Sequence, residues 1–222
     1  MSLPPSLFVH HHLGLGDHIV CNAIVRKLFN RFGSLILAVK HHNLSSVKQL
    51  YRDIDIEYYP VSSDSDCIPM YKDNKYIRIG FENCILTNWE KSFYDQMGID
   101  YSERFSGFFI SRDFDRERQL EKKLNLPKEF AFCNFSCSSG SFDTKVNTNL
   151  KKITPSPITD SIFDWIGVLS KAKEIHTLDS SFFHLVKQLD LKCDKFLYDS
   201  QSLDSTRQPF TLDNQSWKVI DL

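Results

Sequence analysis

The sequence lacks long apolar runs, and no stretch approaches the about 20 residues that a membrane-spanning helix needs. The amino terminus has no basic segment followed by an apolar stretch of signal-peptide length. Neither sign of charge is in excess, because 27 Lys and Arg residues stand against 28 Asp and Glu residues. A net charge of −1 gives no general attraction to nucleic acid or to an anionic membrane. These absences predict a cytoplasmic protein with no transmembrane segment and no nucleic-acid partner.

Patterns typical of disulfide frameworks and metal sites are also missing. The six cysteines are scattered, and no two of them form a Cys-x-x-Cys pair. His10–His12 and His41–His42 come without the carboxylate or cysteine pattern that would complete a metal site. In a strand, moreover, His10 and His12 would share one face while His11 points away. We therefore expect reduced thiols and no bound metal.

Short apolar segments alternate with helical patterns along the chain, which predicts an α/β fold with parallel sheets. Hydrophobic residues make up 41% of the 222 residues and include 18 Phe, so we expect a core rich in Phe. The rhythm restarts after a charged helical segment, which predicts two halves, 1–110 and 111–222. The predicted strands are Leu7–Val9, Leu35–Val39, Ile54–Val61, Tyr76–Phe81, Phe130–Phe135, Lys152–Thr154, Glu174–Leu178 and Lys195–Tyr198. The predicted helices include Ser45–Tyr51, Asn88–Met97, Arg112–Leu124, Thr159–Ser170 and Ser180–Leu189.

The first candidate site is the segment Gly14-Leu15-Gly16-Asp17, which lies between a predicted strand and a predicted helix. Its two glycines allow the backbone to turn sharply and to come close to a ligand. The amide groups at the start of the next helix favour an anion there, and we expect Asp17 to cap that helix. A plain strand-to-helix turn explains the same residues, because the third glycine of the dinucleotide-binding fingerprint is absent.

The second candidate site is the segment from Thr177 to His184, where a predicted strand again leads into a helix. Ligands bind at the carboxyl ends of strands in open α/β sheets. Ser180 and Ser181 offer hydroxyl and amide groups to a phosphate, and His184 lies one helical turn further on. A well-capped helix with one half-buried histidine is the alternative interpretation.

Taken together, the two segments resemble the motifs of the ADP-heptose:lipopolysaccharide heptosyltransferase family. The similarity covers Gly14–Ile19, Asn22–Arg26 and Asp179–Leu185, in the family's order and in separate halves. The resemblance implies the GT-B fold, in which two Rossmann-like parallel-sheet halves face a cleft. It also implies transfer of a sugar from a nucleotide-sugar donor to a hydroxyl group of a glycan or another acceptor. The reaction would invert the configuration at the anomeric carbon and would need neither a metal nor a cofactor.

The resemblance also implies roles for individual residues. Asp17 matches the family's general base, which takes the proton of the acceptor hydroxyl. Lys145 is the only cation in the predicted loop Ser136–Asn149, and it would neutralise the leaving diphosphate; an ordinary solvated lysine is the alternative. The half 1–110 would then serve the acceptor, and the half 111–222 would bind the nucleotide. The residues assigned to donor binding are Gly14, Gly16, Lys145, Asp179, Ser180, Ser181 and His184.

Two departures from the family keep other functions open. Ser181 stands where the family usually has glycine, and the second half is short. A non-catalytic module that binds nucleotides or glycans on a reduced scaffold is therefore the main alternative. A third hypothesis, an unrelated Rossmann-type nucleotide enzyme, would require a Walker A sequence or a complete Gly-x-Gly-x-x-Gly, and the sequence contains neither.

Overall fold

Parallel β-sheets organise the chain, one in each of the units Met1–Ser111 and Arg112–Leu222. Our computed structural model describes residues 6–199 and 216–221. In this part of the chain, no helix combines the length and the apolar character that crossing a bilayer demands. All six cysteines are free thiols.

The first unit alternates strands and helices as the apolar pattern predicts. The strand order in its sheet is β3-β2-β1-β4, and the strands are parallel. The chain moves outward from β1 to β3 and then returns to the other side of β1, so the topology reverses between β1 and β4. Such a reversal point is where open α/β sheets bind ligands. The elements are β1 Leu7–His11, α1 Leu15–Val20, α2 Asn22–Phe32, β2 Leu35–Lys40, α3 Leu44–Leu50, β3 Glu57–Val61, α4 Ile68–Asp73, β4 Lys75–Ile79, α5 Trp89–Gln96 and α6 Glu103–Ser106.

The second unit repeats this plan with a different strand order. Its sheet runs β11-β10-β9-β5-β8 with parallel strands, so the topology reverses between β5 and β9. The strands β6 and β7 form a separate antiparallel hairpin. The elements are α7 Phe114–Leu124, β5 Phe130–Asn134, β6 Ser136–Cys137, β7 Gly140–Ser141, β8 Lys151–Ile153, α8 Ile166–Lys171, β9 Glu174–Leu178, α9 Ser181–Lys187, β10 Asp194–Asp199 and β11 Trp217–Asp221.

The core is rich in Phe, as predicted. Every residue of β1 and of β5 is buried, because the central strand of a parallel sheet is covered on both faces. Burying one such aromatic side chain stabilises the fold by about 1.5–3 kcal/mol. The buried phenylalanines include Phe8, Phe93, Phe130, Phe132, Phe163, Phe182 and Phe183.

The helix α4 was not predicted, and its sequence explains why. It has only six residues, which is too short for apolar positions to repeat at a helical period, and none of them is buried. Pro69 lies in its first turn, a position that proline tolerates well. Tyr71, from its last turn, packs against the buried cluster that contains Phe8. The helix therefore packs on this cluster through the partly buried side chains of Met70 and Tyr71.

The predicted cap near residue 160 was wrong. We expected Thr159 or Asp160 to cap the helix, but the first turn, a 3₁₀ turn, begins after Ser161. The Ser161 hydroxyl accepts a hydrogen bond from the amide of Phe163 at 3.3 Å. Thr159 and Asp160 instead accept hydrogen bonds from Arg116 of α7. A cation that is distant in sequence therefore decides which residue is left to cap the turn.

Candidate functional site

The glycine-containing loop follows β1 at the point where the first sheet reverses its topology. The amide of His12 donates to the carbonyl of Ile79 at the end of β4, at 3.1 Å, so the loop is anchored to both strands. Gly14 is the residue before α1 and has φ −68° and ψ 149°, an extended conformation open to any residue. A Cβ atom there would collide with Oδ2 of Asp17, so a side chain at this position would require the carboxylate to move.

The Asp17 carboxylate turns back toward His12 and does not cap the helix. Asp17 is the third residue of α1, and the residue at the cap position, Gly14, has no side chain that could cap the helix. Oδ2 of Asp17 lies 3.0 Å from Nδ1 of His12. The Asp17 side chain is 12% exposed and the His12 side chain is 45% exposed. Our prediction of an Asp17 cap was therefore wrong, since the carboxylate engages an imidazole that faces solvent.

This pair changes the protonation of His12. Partial burial alone lowers the pKa of His12, but the hydrogen bond that His12 donates to Asp17 and the negative charge of Asp17 outweigh burial and raise the pKa above 6.5. Asp64 adds to the increase, while Lys40 opposes it. The loop therefore presents an imidazole that holds a proton more readily than an isolated histidine does.

Buried polar groups anchor the glycine-containing loop to the rest of the first unit. Asn43, just after β2, donates from Nδ2 to the carbonyl of Leu13 at 3.2 Å. Nδ1 of His11 lies 2.7 Å from the carbonyl oxygen of His12, to which it donates. The His11 ring packs edge-on against the ring of His18 with centroids 4.3 Å apart, and both rings are buried. Burial lowers the pKa of His11 to about 4 and lowers that of His18 as well, so both rings are neutral supports for the loop.

His10 and His11 are neighbours in β1, and His10 points to the opposite face of the sheet, as the strand geometry predicts. His10 lies between Tyr71 and Asp64, with Nε2 3.1 Å from Oδ1 of Asp64. Burial lowers the pKa of His10, although Asp64 opposes the decrease. Within residues 6–199 and 216–221, no three His, Cys, Asp or Glu side chains are grouped as a metal site.

The second motif lies at the reversal point of the second sheet. Asp179 follows β9, and Ser180 is the residue before α9, with an extended backbone at φ −157° and ψ 176°. Nε2 of His184 lies 3.3 Å from Oδ1 of Asp179, and His184 is buried. Ser181 is half-buried at the start of α9. Asp179 and His184 are therefore in contact beside the start of α9.

Two further residues hold this cluster: Thr177, which begins the predicted segment, and Asn134, which sequence reasoning missed. Asn134, the last residue of β5, donates from Nδ2 to the Ser180 hydroxyl at 3.1 Å and to the carbonyl of Ser136 at 3.0 Å. The hydroxyl of Thr177 lies 3.3 Å from that of Ser180, and Thr177 and Asn134 are register partners on adjacent strands. The rule that strand ends bind ligands could have identified Asn134, since it ends the neighbouring strand.

Lys145 lies in the connection between β7 and β8, and its side chain is exposed. Among the described residues, the hydrogen bonds and ion pairs that join Asp179, Ser180 and His184 do not include it. The structure therefore brings together the predicted donor residues around α9 but leaves Lys145 outside this cluster.

The segment Asn22–Arg26, which is part of the first motif, has a structural role in holding α2. Arg26 donates through both terminal nitrogens to the carboxylate of Asp53, each at 2.9 Å. Asn22 accepts a hydrogen bond from the amide of Phe109 at 3.0 Å. These bonds tie α2 to segments distant in sequence, which explains an Asn and an Arg four residues apart without any ligand.

The chain was compared with known proteins. No protein-family model and no curated protein matches it. A glycosyl transferase family 9 protein of Veillonella parvula DSM 2008 matches with TM-score 0.57 and 12% identity, covering 100% of this chain and 87% of that protein. The ADP-heptose lipopolysaccharide heptosyltransferase II of Escherichia coli matches with TM-score 0.54 and 11% identity, covering 97% and 90%. The chain has the fold of these glycosyltransferases.

A third structure extends the comparison to a protein with bound ligand. The dodecameric iron-containing heptosyltransferase TibC of enterotoxigenic E. coli, in complex with ADP-D-beta-D-heptose, matches with TM-score 0.53 and 10% identity. The match covers 92% of this chain and 61% of TibC. The GT-B-like α/β fold with parallel sheets is confirmed, and so is the diverged resemblance to heptosyltransferases at the level of fold. The residue roles stay predictions, because about one residue in ten is identical.

Proposed function

We propose that this protein transfers a sugar from a nucleotide-sugar donor to a hydroxyl acceptor, with inversion and without a metal. The observation that carries the proposal is that both motifs lie at the topological reversal point of their own sheet, with acidic, hydroxyl and imidazole groups gathered there. The fold shared with glycosyltransferases supports it, including one in complex with ADP-D-beta-D-heptose. A Rossmann-type scaffold alone hosts many chemistries, so these side chains carry the assignment.

The donor is proposed to bind at the second motif. The hydroxyls of Ser180 and Ser181 and the first amides of α9 provide hydrogen-bond donors for a diphosphate. The imidazole of His184, held by Asp179, would contact the diphosphate or the adjoining ribose. We assign to Lys145 the neutralisation of the leaving diphosphate, since its side chain is an exposed cation. Gly14 and Gly16 are also proposed to contribute to donor binding, because residues without a side chain let the backbone come close to a ligand.

The acceptor is proposed to bind at the first motif, where the Asp17 carboxylate drives removal of a proton from the acceptor hydroxyl. The hydroxyl oxygen then attacks the anomeric carbon while the bond to the diphosphate breaks. Attack on the face opposite the leaving group inverts the configuration at the anomeric carbon. General-base assistance of this kind contributes about 10²–10⁴-fold to the rate.

The substitution Asp17→Asn tests this assignment. We expect transfer to fall at least about 100-fold, because the carboxylate is lost while the shape is kept. The dissociation constant for the nucleoside diphosphate should change little, since the donor motif is on other elements.

Thermal shift with a panel of nucleoside diphosphates identifies the ligand, because a ligand at 100 times its dissociation constant stabilises the protein by about 2.7 kcal/mol. A discontinuous assay of sugar transfer then gives the rate.

Asp55→Asn is the matched control, since Asp55 is an exposed carboxylate of the same unit. It should leave both binding and transfer unchanged. Normal turnover by Asp17→Asn would contradict the role of Asp17. Tight binding of nucleotide sugars with no product from any acceptor would favour the alternative, a non-catalytic binding module.

A further inference from the structure

The pairing of Asp17 with His12 raises the question of which atom receives the acceptor's proton. The Asp17 side chain is 12% exposed, and its Oδ2 accepts a hydrogen bond from the imidazole of His12. The His12 side chain is 45% exposed, several times more than that of Asp17. A substrate hydroxyl approaching this loop therefore has freer access to the imidazole than to the carboxylate.

The hydrogen bond also decides the tautomer of His12. An ionised carboxylate can only accept, so Nδ1 of His12 must carry the proton that it donates to Asp17. In the neutral ring, Nε2 then has the lone pair and is the basic atom. Aspartate holds the histidine of Ser-His-Asp enzymes in the same way and stabilises the imidazolium that forms.

We propose that Nε2 of His12 is the atom that takes the proton of the acceptor hydroxyl, and that Asp17 is the positioning residue that orients the imidazole. This step rests on the proposed function. The acceptor O–H bond breaks as an N–H bond forms on Nε2. The oxygen bonds to the anomeric carbon, and the nucleoside diphosphate leaves with the electron pair of the broken C–O bond. The imidazolium, paired with Asp17, later releases its proton to water.

The surroundings of His12 predict a pH dependence. The rate should rise with pH through the pKa of His12, because only the neutral ring accepts a proton. That pKa is raised above 6.5, with burial opposing the increase and Asp17 overcoming it. In Asp17→Asn, the rate-limiting pKa should move to lower pH, because the carboxylate and its charge are gone. The charged or titratable groups around His12 are Asp17, Asp64, Lys40, His11 and His18.

The substitution His12→Asn tests the step. The asparagine amide can still donate a hydrogen bond to Asp17, but it has no nitrogen that accepts a proton at neutral pH. We expect kcat to fall at least about 100-fold, with the dissociation constant for the donor within twofold of wild type. His42→Asn is the matched control, because His42 is an exposed histidine that also follows a strand of this sheet. It should keep the wild-type rate and pH profile.

Chemical rescue separates proton transfer from a structural role. His12→Ala should recover activity when imidazole is added, and the recovered rate should increase with the basicity of a series of imidazoles. Wild-type turnover by His12→Asn with an unchanged pH profile overturns the step and leaves the proposed function in place. Absence of rescue in a folded His12→Ala that still binds donor also overturns it. A wild-type protein that transfers no sugar overturns the proposed function and this step together.

Discussion

At the scale of single residues, Gly14 shows how one missing side chain leaves room for the Asp17 carboxylate in the glycine-containing loop. Its backbone conformation is ordinary, and its importance lies in the space that the folded-back Asp17 carboxylate occupies. The carboxylate can therefore reach His12 across the loop, five residues back along the chain. The packing of the Asp17 carboxylate therefore explains why glycine occupies position 14 of this motif.

Gly14→Ala should consequently displace the Asp17 carboxylate and break its bond to His12. We expect the pKa of His12 to fall, because burial lowers it once Asp17 no longer compensates. Transfer should fall about 100-fold, the cost of misplacing a reacting group by about 1 Å. An NMR titration of the His12 ring measures the first effect. Leu15→Ala, the next residue along, should leave the titration unchanged, and an unaltered His12 pKa in Gly14→Ala would contradict the explanation.

At the scale of elements, a buried ion pair joins α5 to α6. Arg104 and Glu90 form a salt bridge, and neither side chain is exposed. The hydroxyl of Tyr101 donates to Glu90 at 2.9 Å and accepts from Arg104 at 2.6 Å. Removing one partner from such a pair leaves a buried charge without compensation and costs about 3–5 kcal/mol. The pair therefore fixes how the two helices pack.

Arg104→Met should lower the free energy of unfolding in urea by about 3–5 kcal/mol. The double variant Glu90→Gln/Arg104→Met should recover part of that loss, because no unpaired charge remains. Lys27→Met is the matched control, since Lys27 forms an exposed ion pair with Glu103 of the same helix α6, and such pairs contribute about 0–1 kcal/mol. Equal losses for Arg104→Met and Lys27→Met would show that burial of the pair is unimportant.

At the scale of the whole molecule, buried histidines link stability to pH. Burial lowers the pKa of His11 from 6.5 to about 4 and lowers that of His18 well below 6.5. Below pH 6.5 the unfolded chain binds protons that the folded chain excludes. The stabilisation is thus complete above pH 6.5 and is lost as the pH falls toward 4. His12 acts in the opposite direction, because its pKa is raised.

We expect the free energy of unfolding to fall by about 3 kcal/mol between pH 6.5 and 4 through His11 alone. His18→Phe should flatten the pH profile, since within the described residues neither ring nitrogen of His18 has a hydrogen-bond partner to lose. Urea unfolding at a series of pH values measures the profile. An exposed substitution such as His42→Asn should leave the slope as it is, and an equally steep profile in His18→Phe would contradict the role of this residue.

The amino-acid sequence alone determined the class of fold and the neighbourhood of the two motifs. Buried strands such as β2 and β5 are recognisable because a strand covered on both faces is largely apolar. The glycine loop and the Asp-Ser-Ser segment are local features, since each is one strand-to-helix corner whose residues are close in the chain. The predicted boundary at residue 110 lies one residue before the division of the chain into units.

Only the tertiary structure decided which polar groups meet. Asn134 reaches Ser180 across 46 positions of sequence, and Arg116 reaches Asp164 across 48. Helix caps such as Ser161 depend on these partners, because a side chain held by a distant cation cannot cap. The turn of Asp17 toward His12 follows from the space above Gly14, which a periodicity of apolar residues does not encode. Hydrophobic patterns specify what is buried, whereas directional bonds depend on three-dimensional neighbours.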